Sequence, residues 1–270
     1  MQLTQPCRYA SAITLAAAAI CPLRAPVAMA SAWPQPAGET TTISKITLTG
    51  APHAYDLTGK LQGGAGFKKT ELEVYTEHGL RESVTLIGKI TWQDTIAGDV
   101  RQSGFATFEV GGLTRLLTFD DASILSAQAS VILPGREHDK TNPLITSGHA
   151  DYDLRLLQGV PELFLDLPGF TDLQLAYRHR GGGPADELRL DLTYGFNLNP
   201  QWLLRVQSQT VTSFGDSDPP FQPYRSTKLL GSLRWQFDEY RYVELGGLQT
   251  ISGTRTVRES GAFFALWATF

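Results

Sequence analysis

The final ten residues of the chain read GAFFALWATF, from Gly261 to Phe270. Apolar side chains recur there at every second position, and successive side chains of a β-strand point to opposite faces. The apolar face carries Ala262, Phe264, Leu266, Ala268 and Phe270. The stretch therefore predicts an amphipathic strand at the very end of the chain.

A final strand that closes on Phe270 is typical of outer-membrane β-barrels, in which it carries the signal read by the barrel-assembly machinery. We assign this role to Phe270. The match is partial, because Ala265 stands where Gly is usual and Phe263 takes a position that is normally polar. Whether a barrel precedes this strand depends on the pattern in the rest of the sequence.

The opposite end of the chain predicts a secretory signal peptide. Arg8 precedes an apolar run from Ala10 to Ile20, and two small-x-small cleavage sequences follow, ending at Ala30 and Ala32. We assign residues 1–32 to the signal peptide and residues 33–270 to one domain. The sequence allows cleavage after either Ala30 or Ala32.

Composition limits what the exported chain can be. No run of about 18 apolar residues follows the signal peptide, which excludes an ordinary transmembrane helix. Cys7 and Cys21 both lie in the segment to be removed, which excludes disulfide scaffolds and Cys-ligated metal sites. Loss of Arg8 and Arg24 lowers the formal net charge from −4 to −6. This acidic balance argues against nucleic acid as a partner.

Period-2 alternation recurs along the domain. It is clearest from Leu188 to Leu198, where six apolar positions match a membrane strand of about 9–11 residues, and again from Leu229 to Phe237. With the weaker segments the sequence predicts twelve strands. The fold class we predict is all-β: a twelve-stranded antiparallel transmembrane β-barrel in the outer-membrane lipid. A soluble β-sandwich is the alternative, but it would need a second apolar face where these strands are polar.

The connections between strands provide a separate test, because bacterial barrels have short periplasmic turns and long external loops. Short links alternate with longer ones, which we place at residues 51–67, 93–103, 134–148 and 215–224. Two links break the alternation. We predict a long periplasmic link with a short amphipathic piece at residues 158–169, and a brief external hairpin at residues 181–183.

Charged side chains opposite the apolar faces are predicted to line the barrel lumen. Acids come mainly from early strands and bases from later ones, so we expect them to face each other across the interior and to tune selectivity. The basic excess of the later strands favours an anionic solute. The alternative is that these groups pair and close the lumen, because twelve strands lie between the filled eight-stranded barrel and the open channel of about 16 strands. The predicted lining residues are Glu71, Glu73, Glu109, Arg178, Arg189, Asp191, Arg205, Lys228 and Arg234.

Several stretches also resemble a known family. The mature N-terminus reads Trp33-Pro34-Gln35-Pro36-x-Gly38, and KKTELEVYTEHGL runs from Lys68 to Leu80. With the terminal LWATF and the strand pair from Leu173 to Asn197, these stretches resemble proteobacterial outer-membrane proteins related to the MetA-pathway of phenol degradation family. The resemblance implies an outer-membrane transporter or channel and attaches no catalytic signature to the chain.

Residues that could carry covalent chemistry are few. A lipid-modifying barrel enzyme would need a nucleophile beside a histidine, and Ser147 and His149, followed by Asp151, are the only close candidates. We expect a polar external loop there and predict no catalytic, cofactor-binding or metal site. The function we predict is passive passage of a small solute, with no enzyme activity. A closed structural or adhesion barrel that acts through its external loops is the alternative.

Overall fold

The computed structural model describes residues 31–135 and 145–270, and the predicted signal peptide up to residue 30 lies outside the described residues. The described residues form strands and the connections between them. In this part of the chain no helix has the length and apolar character needed to cross a membrane. The strands are β1 (Thr40–Tyr55), β2 (Leu61–Arg81), β3 (Val84–Ala97), β4 (Val100–Thr118), β5 (Ile124–Pro134), β6 (Asp151–Phe164), β7 (Leu167–His179), β8 (Asp186–Asn199), β9 (Trp202–Phe214), β10 (Arg225–Gln236), β11 (Arg241–Thr254), β12 (Thr256–Val257) and β13 (Ser260–Thr269).

The strands close into one antiparallel barrel. Neighbours in sequence pair along the whole sheet, and β1 pairs with β2 on one side and with β12 and β13 on the other. The short β12 and β13 together act as the last strand, so the barrel has twelve strands, as predicted. At the seam Thr40 N–H donates to the Phe270 carbonyl at 3.1 Å, and Phe270 N–H donates to the Thr40 carbonyl at 2.8 Å. Closure leaves no edge strand among the described residues, which is a requirement in lipid.

The two faces of the wall differ as the alternation predicts. On β8, Leu188, Leu190 and Leu192 point outward and are more than 40% exposed, whereas Glu187 and Thr193 are buried inside. A soluble protein rarely exposes so large an apolar surface. In a barrel this surface meets hydrocarbon.

Two of the long external loops predicted from the sequence are mostly strand in the structure, so these predictions are wrong. The β1–β2 ladder continues to Tyr55↔Leu61, and the β3–β4 ladder continues to Ala97↔Val100, so most of residues 51–67 and 93–103 are strand. Only the turns Asp56–Lys60 and Gly98–Asp99 separate these strands. Residues 215–224 do form a loop, as predicted. The predicted loop at 134–148 lies partly outside the described residues.

The predicted link at residues 158–169 is also wrong. Strand β6 continues to Phe164 and β7 begins at Leu167, so a two-residue turn joins them. Leu165 and Asp166 both have positive φ, at 49° and 65°, as in the type I′ turns that favour tight hairpins. Phe164 packs on outward-facing aromatic rings of β8, with ring centroids 5.9 Å from Tyr194 and 5.1 Å from Phe196.

The barrel has its apolar core inside one end. Bacterial barrels keep both termini and short turns on the periplasmic side, so we call the end near Thr40 and Phe270 the periplasmic end. Inward-facing apolar side chains cluster there and the lumen above them is polar. The cluster contains Ala32, Ile43, Tyr75, Ile87, Leu113, Ile124, Leu157, Ala265 and Trp267, with Trp33 and Tyr242 packed against it.

Candidate functional site

The periplasmic end of the lumen is occupied by the residues that precede β1. We call residues 31–38 the N-terminal segment. Ser31, Ala32 and Gln35 are no more than 2% exposed, whereas Pro36 and Gly38 are exposed at the rim. The chain turns there, with Glu39 N–H donating to the Pro36 carbonyl at 3.0 Å, and then enters β1.

The deepest part of the N-terminal segment is held by hydrogen bonds to two different strands. Ala32 N–H donates to Asp172 Oδ2 on β7 at 2.6 Å, and Ser126 Oγ on β5 donates to the Ala32 carbonyl at 2.6 Å. Both wall residues are at most 1% exposed. A buried polar group that loses its partner costs free energy, so these bonds fix the position of the segment.

Gln35 makes a second set of bonds to the wall on the other side of the lumen. Its backbone N–H donates to Thr85 Oγ1 at 2.8 Å, and its Nε2 donates to Glu77 Oε2 at 2.7 Å. Tyr75 OH donates to the other oxygen of Glu77 at 2.6 Å. In the barrel order β2 and β3 stand five and four strands from β7, so the segment spans the lumen.

Between these two anchors, Trp33 fills the centre of the periplasmic end. Its ring meets Phe170 edge to face at a centroid distance of 6.1 Å and also packs on Leu203. A Cβ at Gly159 would lie 2.6 Å from the Trp33 ring, closer than any real contact. The indole therefore occupies space that a side chain at position 159 would otherwise fill.

The lining residues predicted from the sequence lie on the inward face, but their charges are not arranged as predicted. We expected early acids to face later bases across the interior. The structure pairs them instead within one strand, with the next strand, or with the next but one. The pairs are Lys69 with Glu71 (3.4 Å), Lys45 with Glu73 (3.1 Å), Lys89 with Glu109 (2.9 Å), Arg178 with Asp153 (3.0 Å), Arg189 with Glu187 (3.1 Å), Arg155 with Asp191 (2.9 Å), Arg205 with Glu244 (2.6 Å) and Lys228 with Glu259 (2.6 Å).

Arg234 lies against aromatic rings of the periplasmic core. Its guanidinium carbon is 4.8 Å from the centroid of Tyr242 and 4.9 Å from that of Trp267. Arg205 is 5.7 Å from the same indole, whose N–H donates to Glu244 at 3.0 Å. Cations over aromatic faces gain electrostatic energy where water is excluded. These charges belong to the wall around the N-terminal segment.

The external half of the lumen holds a polar cavity of about 180 Å³. Arg178, Arg180, Arg189 and Tyr224 are among its lining residues. Tyr224 OH donates to Glu187 at 2.9 Å, which ties the end of the β9–β10 loop to the wall. Each of the three guanidinium groups beside this cavity also pairs with a carboxylate.

On the external β1–β2 turn, Asp56 organises its own loop. The pKa of this carboxyl is lowered to about 2 because the side chains of Gln62 and Thr58 and the backbone N–H of Lys60 donate hydrogen bonds to it. The folded-state pKa lies below the usual value, so the turn keeps these bonds at all but strongly acidic pH.

The candidate catalytic residues are close in space but do not form a catalytic arrangement. The His149 ring nitrogen Nδ1 lies 3.1 Å from the Ser147 backbone carbonyl, and no hydrogen bond of the described residues joins it to the Ser147 hydroxyl. Asp151 instead accepts from Gly181 N–H at 3.1 Å and pairs with Arg180 at 2.8 Å. Within residues 31–135 and 145–270, no cluster of three His, Cys, Asp or Glu side chains could hold a metal ion.

Sequence reasoning missed the residues that bind the N-terminal segment. Glu77 and Asp172 lie on inward faces, but their partners come from Ala32 and Gln35, far away in the chain. The motif that begins at Trp33 stood out in the sequence only as a resemblance. Its proline and glycine content gave no sign that it would fold back into the barrel.

Comparison with known proteins supports the fold and goes no further. No protein-family model matches the sequence, and no curated protein matches it, so the resemblance to the MetA-pathway family is not confirmed. Among solved structures, the chain is similar to the COG4313 outer membrane channel from Pseudomonas putida F1, with a TM-score of 0.72, 13% identity, and coverage of 91% of this chain and 100% of that one.

Two porins are similar at a lower level. The KdgM porin in complex with disordered oligogalacturonate gives a TM-score of 0.56 at 9% identity over 85% of this chain and 99% of its own. The NanC porin gives 0.53 at 8% identity over 83% and 98%. Likeness at such identities shows the fold alone. This chain is a β-barrel of the cell outer membrane, with the architecture that these channels and porins share.

Proposed function

We propose that this barrel is a passive outer-membrane channel for a small solute, and that the N-terminal segment occludes it in the state described. The proposal rests on which residues close the lumen. Wall side chains such as Ile43 and Leu157 form much of the apolar cluster at the periplasmic end. The space that remains beside Gly159 is filled by Trp33 and its neighbours in residues 31–38, which precede the first strand.

A segment of this kind can leave the lumen without breaking the barrel. Residues 31–35 bond to side chains of the wall and pack in the core. Backbone pairing with β2 begins at Gly38, whose N–H donates to the Gly79 carbonyl at 2.8 Å. A wall filled permanently by its own side chains would not need glycines at positions 79 and 159. A Cβ at Gly79 would lie 2.0 Å from the Pro36 carbonyl oxygen, so both glycines reserve space for the segment.

The solute we propose is small, and anions are favoured over cations. Support comes from Arg178, Arg180 and Arg189, which line the external cavity. Their carboxylate partners reduce the local excess of positive charge, so the preference we expect is weak. The number and field strength of charged groups at a constriction set ion selectivity, and the carboxylates of Asp151 and Glu187 line this cavity together with the three arginines.

Conductance in a planar bilayer tests the proposal. We expect small or rare steps from the refolded mature protein and large, steady steps after deletion of residues 31–37. A matched variant replaces residues 31–37 with a Gly-Ser stretch of equal length, which keeps the length of the chain but removes the Trp33 ring and the Gln35 side chain, and should also open the channel.

If the deletion variant is demonstrably folded and heat-modifiable but shows no conductance steps, the proposal is contradicted. A barrel that stays closed without its N-terminal segment would have to act through its external loops, as a structural or adhesive protein. Hydrolysis of phospholipid by the wild-type protein, abolished by Ser147→Ala, would instead favour the lipid-modifying class.

A further inference from the structure

Asp172 is a buried carboxylate that accepts hydrogen bonds but forms no salt bridge with a basic side chain of the described residues. It is 1% exposed, and its oxygens accept hydrogen bonds from Ala32 N–H and from Gln174 Nε2, each at 2.6 Å. In the part of the chain that the structure describes, it forms no ion pair. The nearby Arg155 is engaged by Asp153 and Asp191. A buried carboxylate normally requires a counter-ion as well as hydrogen bonds.

Ala32 belongs to the folded barrel. The residue is 0% exposed, and both its N–H and its carbonyl bond to buried wall residues, Asp172 and Ser126. Cleavage after Ala32 would remove this residue and leave the Ser126 hydroxyl and the Asp172 carboxylate without these partners. Cleavage after Ala30 would keep Ala32 and all of its bonds.

We propose that signal peptidase cuts between Ala30 and Ser31, and that the new α-ammonium group of Ser31 is the counter-ion of Asp172. Water adds across the Ala30–Ser31 amide, which leaves a carboxylate on the released leader and an amino group on Ser31. Adjacent Cα atoms lie about 3.8 Å apart, so this group is next to the Ala32 N–H that already contacts Asp172. An α-amino group has an ordinary pKa of about 7.7–8.0 and is mostly protonated at neutral pH.

The proposal gives processing a second consequence besides release of the leader. The precursor has a neutral amide at Ser31, so the positive charge that balances Asp172 exists only in the mature chain. The N-terminal segment is therefore held in the lumen by an ion pair that forms on maturation. This inference concerns the chemistry of the chain end and does not depend on whether the barrel conducts.

The first test is the intact mass of the protein extracted from outer membranes. We expect the mass of residues 31–270. A mass of residues 33–270 would overturn the proposal, because neither Ser31 nor Ala32 would then be present in the mature protein.

The second test measures the reactivity of the Ser31 amine in the folded mature protein by reductive methylation near neutral pH, with peptide mass spectrometry as the readout. We expect Asp172→Asn to raise the rate by about tenfold, which is the effect of lowering the amine pKa by one unit. Asp191→Asn is the matched control, because that carboxylate pairs with Arg155, and its rate should equal that of the wild type.

Equal rates in the wild type and in Asp172→Asn, with both proteins folded by heat-modifiability, would show that the amine does not pair with Asp172. If Asp172→Asn fails to fold, a chain with four Gly-Ser residues added before Ser31 takes its place. Its displaced amine should react as fast as a free peptide amine, and protection equal to that of the wild type would overturn the pairing.

Discussion

Single glycines decide whether the lumen can hold the N-terminal segment. Gly159 faces the Trp33 ring, and Gly79 faces the Pro36 carbonyl, at distances that no Cβ could occupy. The fit between segment and wall therefore depends on side chains that are absent, and a single added group would destroy it.

Replacement of Gly159 by Val should expel Trp33 while leaving the barrel intact. A Cβ at this position would be 2.6 Å from the indole, whereas Val itself suits a strand. We expect a red shift in tryptophan emission and larger conductance steps. Gly88→Val is the control, because a Cβ there meets nothing within 4 Å. Unchanged emission and conductance in the folded Gly159→Val protein would contradict the position of Trp33.

Replacement of Leu190 by Arg tests which face of β8 meets lipid. Leu190 points outward and is 46% exposed, so the change places a charge in the bilayer, at a cost of roughly 2–4 kcal/mol near the midplane. We expect a large loss of the folded, heat-modifiable species in outer membranes. Asp191→Asn, one residue along on the inward face, should assemble far better. Equal yields would mean that the register of this strand is wrong.

At the level of elements, the sequence predicts strands well where they cross the bilayer. Alternation was clear on β8, β10 and β13 because hydrocarbon lies on one side of the wall and a polar lumen on the other. Beyond the bilayer that contrast disappears. The β6–β7 hairpin near Phe164 and the β1–β2 ladder near Tyr55 continue the backbone pairing without alternation of apolar and polar side chains, so the sequence pattern predicts links there.

The N-terminal segment could not be predicted for a different reason. Its partners, Asp172, Ser126, Thr85 and Glu77, come from four strands whose relative heights depend on the register of the closed barrel. Each of these residues also fits an ordinary polar lumen position. Only the assembled barrel brings them around one peptide.

Deletion of Phe270 should impair closure of the barrel. The residue exchanges two backbone hydrogen bonds with Thr40, and these are the last bonds of the seam between the first and final strands. We expect a lower yield of the heat-modifiable species. Phe270→Tyr keeps the backbone bonds and the aromatic ring and should assemble normally. An undiminished yield from the deletion would exclude Phe270 from the assembly signal.

For the whole molecule, local pairing of charges is the main departure from the sequence prediction. The predicted transverse field needs bases without near neighbours, but the acids that neutralise them, such as Glu187 and Glu244, stand on the same wall. Which acid meets which base depends on strand register and stagger. A wall of paired charges resembles a polar surface more than a charged one, so the electric fields inside the lumen are weak and short-ranged.

Ion selectivity of the barrel that lacks residues 31–37 measures how complete this pairing is. The pair of Arg189 and Glu187 beside the external cavity offers matched variants that each remove one charge. Arg189→Gln removes one positive charge from the wall, although Glu187 still pairs with Arg180, and should move the reversal potential in a KCl gradient toward cation preference, whereas Glu187→Gln should move it toward anion preference. Both shifts should shrink as the salt concentration rises, because counter-ions screen exposed charges within about 10 Å at 0.1 M. If the two variants shift the reversal potential in the same direction, or not at all, the permeation path does not pass this pair. That result would contradict the proposed role of the arginine-lined cavity.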